Sequence, residues 1–163
     1  METGSLRAAI GGTWFGAGLP SASLARLSEL GRLRELGRGE VLLVEGAPTQ
    51  ELDLVLAGRV GVTAREPGRG DVTLMTVEPG DIVGWSALLA PMPATATVRV
   101  IEPARLVAFP GAELRAALAE DPVLAAAVHR QALDAVARRL MATRHQLLDL
   151  HAAVAAESWS EPW

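Results

Sequence analysis

Between about residue 39 and residue 110, short apolar runs alternate with turn residues at intervals of about ten. Val41-Leu42-Leu43-Val44 is one run. Leu52-Asp53-Leu54-Val55-Leu56 and Val60-Gly61-Val62-Thr63 flank Gly58, and Val72 to Val77 follows the polar, Gly-rich Glu66-Pro67-Gly68-Arg69-Gly70. Thr95 to Val100 and Arg105 to Phe109 complete the set. Runs of strand length at this interval predict an antiparallel roll, sandwich or jelly roll. No helical stretch separates them, which excludes a parallel sheet of Rossmann type.

The flanks follow a different period. Residues from about 5 to 37 are helical in pattern, with apolar residues three apart in Leu24-Ala25-Arg26-Leu27-Ser28-Glu29-Leu30. Pro20-Ser21 is a start signal and Gly31 a stop. From Gly111 the chain is Ala-rich. Asp121-Pro122 reads as an N-cap followed by Pro at the first helical position, so a helix is predicted from Pro122 to about Ala156. Leu133, Val136, Leu140, Thr143, Leu147, Leu150 and Val154 step by 3, 4, 3, 4, 3 and 4 along it. That is a heptad seam with one polar member. It could pack on the chain's own β region, but its narrowness favours a two-helix dimer. In a parallel pair, Arg139 would face the second copy's Arg144, which disfavours the pairing unless an anion lies between them.

The predicted fold is therefore mainly β with flanking helices: an antiparallel β-roll or jelly roll, N-terminal helices and a long C-terminal helix. The expected organisation is one domain over 1–156, with the roll at about 39–110, the helix at about 122–156, and 157–163 as a tail. That tail carries Trp159 and Trp163 beside Pro162. It is either frayed or folded onto an apolar pocket or partner, because Trp is costly to leave in water.

Composition narrows the chemistry. There is no Cys, which removes disulfides, thiolate-held clusters and thiol redox sensing. His129, His145 and His151 all lie in the helical segment. His145 and His151 are six apart, which is not one helix face, so no zinc site is expected. No nucleophile–base pair and no pair of carboxylates stands out, so no enzyme is expected. The net charge is −4, against the basic face that nucleic-acid binding needs. No apolar run reaches the roughly 18 residues of a membrane span. Met1 to Ile10 has no secretory pattern. A cytoplasmic protein is the expectation.

One stretch carries more than fold. Gly80-Asp81-Ile82-Val83-Gly84-Trp85-Ser86-Ala87-Leu88-Leu89, followed by Pro93-Ala94-Thr95-Ala96-Thr97-Val98-Arg99, resembles the phosphate-binding cassette of the cyclic-nucleotide-binding domain family. Gly39, Glu45-Gly46, Gly58, Val60 and Val62 fall on the family's framework positions, and the resemblance covers roughly residues 24–150. It implies a ligand between the β roll and the long helix. Gly84, Trp85, Ser86, Ala87 and Leu88 would form a short helix with amides toward a phosphate, and Ala94 and Thr95 would follow it. Thr143 matches a base-contacting hydroxyl, and Arg99 and Arg144 could compensate for a missing charge.

Two positions depart from the family pattern. Trp85 stands where the family has the Glu for the ribose hydroxyl, and Ala94 where it has the Arg for the cyclic phosphate. An Arg–phosphate pair is charge-assisted and often bidentate. Hydrogen bonds to charged groups are worth about 1.5–3 kcal/mol, so its loss implies affinity lower by roughly ten- to a hundredfold. Trp85 reads as a plug in an unused pocket, as a wall for a less anionic ligand, or as a surface for a base to stack on.

The expected function is a non-catalytic sensor or regulatory domain with altered effector binding, signalling through the C-terminal helix. The ligand implied is a cyclic nucleotide or another small effector. The expected partners are a second copy through the long helix and a protein, not nucleic acid or membrane. The alternative is a dimerising scaffold with a closed pocket and no ligand. A truncated DNA regulator is the third reading, since the family's activators carry a helix-turn-helix domain after the long helix.

Overall fold

The structure, a computed structural model, describes residues 3–68 and 70–158; the side chains of Thr3, Glu66 and residues 153–158 lie outside the description. Val154 is therefore known by its backbone alone, and Trp159 to Trp163 lie outside the described residues.

The chain opens with three helices, α1 (Thr3–Gly11), α2 (Trp14–Ala17) and α3 (Ser21–Leu30). Thr13 caps α2, its Oγ1 accepting the Gly16 amide at 3.0 Å. Strands β1 (Arg32–Leu36), β2 (Val41–Leu43), β3 (Glu51–Glu66), β4 (Gly70–Val77), β5 (Ile82–Val83) and β6 (Thr97–Pro110) follow, with a 3₁₀ turn at Trp85–Leu89 before β6. Helices α4 (Gly111–Glu120) and α5 (Pro122–Ser158) close the chain. The N-cap expected at Asp121 is present. Its Oδ1 accepts the amides of Val123 and Leu124 at 2.9 and 3.0 Å.

All strand pairs are antiparallel. The sheet runs β1-β6-β3-β4, with β2 on β6 and β5 on β3. Two long strands, β3 and β6, form its spine. Their pairing shifts register between Val55 and Ala57, Ala57 and Arg59, and Arg59 and Val60. Such bulges bend and twist a ribbon, which lets it curl into a roll.

Two expectations change here. Gly58 does not separate two strands; it lies inside β3 at φ 77, where an added Cβ would come within 2.1 Å of the Pro103 carbonyl. The backbone needs glycine for the bulge, not for a turn. Likewise, Arg32 to Leu36 is a strand and not the end of a helical segment. Arg, Leu and Glu are good helix formers. Pairing with β6, Leu33 opposite Val107 and Leu36 opposite Ala104, overrides that local preference.

There are two apolar cores. One joins the helices to the outer face of the roll: Ile10, Phe15, Leu27, Leu52, Leu54, Phe109, Leu114, Leu124 and Val128 are all buried. The other fills the roll: Val55, Val60, Val77, Val83, Val98, Val100 and Leu106. The period of two along β3 sends Leu52 and Leu54 to the first core and Asp53 and Val55 to the second side.

Candidate functional site

The cassette segment forms one wall of the roll. Val83 ends β5, Gly84 turns left-handed at φ 76, and Trp85–Leu89 makes the 3₁₀ turn. Gly84 is required sterically: an added Cβ would lie 2.4 Å from the Glu51 carbonyl. Behind this turn is a cavity of about 140 Å³, lined by Val83, Gly84, Trp85, Ser86, Thr95, Ala96, Val98, Leu43, Val62, Met75 and Arg139. Ordinary small-molecule pockets measure about 300–1,000 Å³, so the enclosed space is small.

Of the expected residues, Gly84, Trp85, Ser86 and Thr95 come together around this cavity. Ser86 is buried and its hydroxyl hydrogen-bonds Thr49 Oγ1 at 2.7 Å. Ala87 is buried in the helix-side core with Leu88 beside it. The Ala87 amide is already used within the turn, donating to the Gly84 carbonyl at 2.9 Å. Its carbonyl accepts from Arg115 Nη1 at 2.6 Å. Ala94 does not line the cavity. Its amide donates to the Ala47 carbonyl at 2.8 Å and its carbonyl accepts the Gly46 amide at 2.9 Å.

Thr143 and Arg144 do not line the cavity either. Thr143 is exposed and its hydroxyl donates to the Arg139 carbonyl at 2.9 Å. It borders an open groove of about 780 Å³ between α5 and the β3–β4 hairpin, with Val62, Val72, Leu74, Met75, Leu147 and Leu150. Val62 and Met75 border both spaces, so the groove adjoins the cavity. Arg144 is exposed and borders neither.

Trp85 is half-buried and has two faces. It walls the cavity on one side. On the other it borders an apolar groove of about 330 Å³ with Leu88, Leu89, His129, Ala132, Leu133 and Val136.

The cation lining the cavity is Arg139, a residue beside the heptad seam that was not among the expected ligand contacts. Its guanidinium leaves α5, lies 3.3 Å from Asp81 Oδ2, and donates to the Ile82 carbonyl. Its Nε is buried without a partner. A signal for it exists in retrospect: Val128, Ala132 and Ala135 are buried, and Arg139 continues their steps of 4, 3 and 4 on the inward face of α5. Next to it, the Arg138 guanidinium stacks 3.3 Å from the Trp14 ring centroid. The Phe15 amide donates to the Gly80 carbonyl at 3.3 Å. The N-terminal helices and α5 thus grip the same cassette loop.

The proposed dimer seam lies on the outer face of α5. Leu133, Leu140, Leu147 and Leu150 are 70%, 62%, 53% and 63% exposed, and Val136 is half-buried. Among the described residues no helix is long and apolar enough to cross a membrane, and no group of three or more His, Asp or Glu could hold a metal ion.

Comparison with known proteins agrees with this architecture. The chain is 28% identical over 133 residues to a CRP-like cAMP-activated global transcriptional regulator of Mycobacterium tuberculosis, an alignment covering 82% of this chain and 58% of the regulator. The chain thus spans little more than half the length of that relative. A crystal structure described as a cyclic nucleotide-binding protein, from Geobacter metallireducens GS-15, superposes with a TM-score of 0.71 at 26% identity, covering 86% of this chain and 98% of that one. A cyclic nucleotide-binding domain from Methylobacillus flagellatus KT shares the fold, with a TM-score of 0.75 at 22% identity over 90% of this chain and 83% of that one. The family model for the cyclic nucleotide-binding domain matches residues 33–121. The chain belongs to the cyclic nucleotide-binding domain family.

Proposed function

We propose that this chain is a non-catalytic sensor domain whose cleft takes a small anionic effector of the cyclic-nucleotide class. Occupancy would be reported through α5. The observation that carries this reading is Arg139: the cation facing the cavity belongs to the long helix and ties it to Asp81 and the Ile82 carbonyl. A phosphate beside Ser86 and Thr95 would compete with Asp81 for that guanidinium. Binding and helix position are then linked through one side chain, which is the differential contact that a ligand-driven shift requires. A base could extend into the groove beside Thr143. The wall at Trp85, the absence of a cation at Ala94 and the small cavity together favour weak or altered nucleotide binding.

Thermal unfolding with cAMP, cGMP and cyclic dinucleotides tests this. A ligand at a hundred times its dissociation constant adds about 2.7 kcal/mol, a rise in Tm of roughly 5–11 °C for a domain of this size. Arg139→Ala should remove the rise. If no nucleotide moves Tm, even with Trp85→Glu opening the wall, the sensor reading fails.

The second reading, a ligand-free dimerising scaffold, is favoured by the exposed leucines of α5. In either reading a second copy is the expected partner of that face.

A further inference from the structure

A second polar cavity adjoins the cassette cavity, with Leu43 in both walls. Arg34 of β1 and Glu51 and Asp53 of β3 line a cavity of about 290 Å³ beside Leu42, Leu43 and Val44. Arg34 is committed to Glu51, with Nη1 2.5 Å from Oε2. It stands 3.9 Å from Asp53 Oδ1, too far for a hydrogen bond. Asp53 is only 1% exposed, and its Oδ1 has no hydrogen-bond partner.

A buried carboxylate without a donor is costly, and an unsatisfied buried group asks for an explanation. Two carboxylates and one guanidinium leave the cavity one negative charge when Asp53 is ionised. That charge excludes an anion. A divalent metal is also disfavoured, because calcium takes six to eight oxygens, Arg34 stands beside both carboxylates, and no described cluster has three ligands. An ammonium group supplies the missing charge together with three donors. The aliphatic wall suits a short hydrocarbon chain, and 290 Å³ lies at the small end of ligand pockets.

We propose that this cavity binds a small primary ammonium compound, with its cationic head on Asp53 and Glu51 and its short aliphatic body against Leu42, Leu43 and Val44. Its charged groups, Arg34, Glu51 and Asp53, do not line the cassette cavity, although Leu43 borders both. Burial raises the Asp53 carboxyl to about 7, opposed by Arg34 and reinforced by Glu51. The remaining lining residues, Ala47, Pro48 and Gln50 with the three aliphatics, carry no charge. Binding should therefore strengthen as pH rises through neutrality.

Titration calorimetry of the full chain with n-butylammonium chloride tests the proposal. Saturable binding is expected at pH 8 and at least tenfold weaker binding at pH 5. n-Butanol, which lacks the charge, tetramethylammonium, which lacks donors, and magnesium chloride should each give no saturable heat. Asp53→Asn should weaken binding at least tenfold. Ala47→Leu, which fills the cavity without touching a charge, should do the same. Absence of binding at pH 8, equal affinity in both variants, or a preference for magnesium or tetramethylammonium would overturn it.

Discussion

Asp53 carries a pH dependence that follows from its burial. Its carboxyl is pushed up to about 7 in the folded chain from an ordinary value of 3.8, mainly because burial disfavours the ion. Between those two values the folded state holds a proton that the unfolded state has released. Stability is therefore highest below pH 3.8 as far as this group is concerned, and it falls as pH rises through about 7. The gap corresponds to roughly 4 kcal/mol. Arg34 and Glu51 are the charged groups facing it. Asp53→Asn, neutral at every pH, should differ least from the native chain below pH 3.8, exceed it modestly at pH 5 and exceed it most at pH 8. Denaturant titrations at the two pH values check this; a native chain equally stable at both, with no gain from the substitution at pH 8, would contradict it. Nothing in the run Leu52-Asp53-Leu54-Val55-Leu56 revealed this environment. An Asp inside an apolar strand run ordinarily marks a water-facing position. β3 is covered on both sides, by helices and by the roll interior, so its polar position is enclosed.

The elements divide into those set by local chemistry and those set by pairing. The start of α5 belongs to the first group. Asp121-Pro122 was legible because an acceptor before a Pro satisfies two free amides and the ring suits the first turn. Asp121→Ala should lower stability by about 1 kcal/mol, within a range of about 0.5–2, read as a shift in denaturant midpoint without a change in slope. β1 belongs to the second group. Its Arg32-Leu33-Arg34-Glu35-Leu36 run favours a helix by composition, and only the edge of β6 makes it a strand. The bulged spine is similar. Gly58 and the break before Arg105 looked like turns, yet β3 and β6 pass through them as single strands. A positive-φ glycine serves a bulge as well as a turn, and sequence alone does not distinguish the two.

At the scale of the whole molecule, α5 is the part left uncovered. Its inward stripe of Val128, Ala132 and Ala135 packs into the helix-side core, and Arg139 reaches the cassette loop at Asp81 and Ile82, while its leucines are exposed. Burying each Leu is worth about 1.5–3 kcal/mol, so a two-helix seam has ample driving force. Leu140→Glu with Leu147→Glu should convert a dimer to monomer at tens of micromolar protein, measured by sedimentation equilibrium. The monomer's own stability should change by no more than about 0.5 kcal/mol, since both positions are exposed. A native chain that sediments as a monomer would refute the dimer. The class of fold, the long helix and its cap, the cassette frame and the two departures at Trp85 and Ala94 were all legible in the residues. Those depend on period, turn chemistry and residue identity, which are local. Long-range packing set the rest: Ser86 is paired with Thr49, Ala94 is not part of the cavity lining, Thr143 borders a groove beside it, and Arg139 is the cation in its lining. Each of these depends on which face of one element meets another across the chain, and the close packing that fixes those faces is not written in any single stretch of residues.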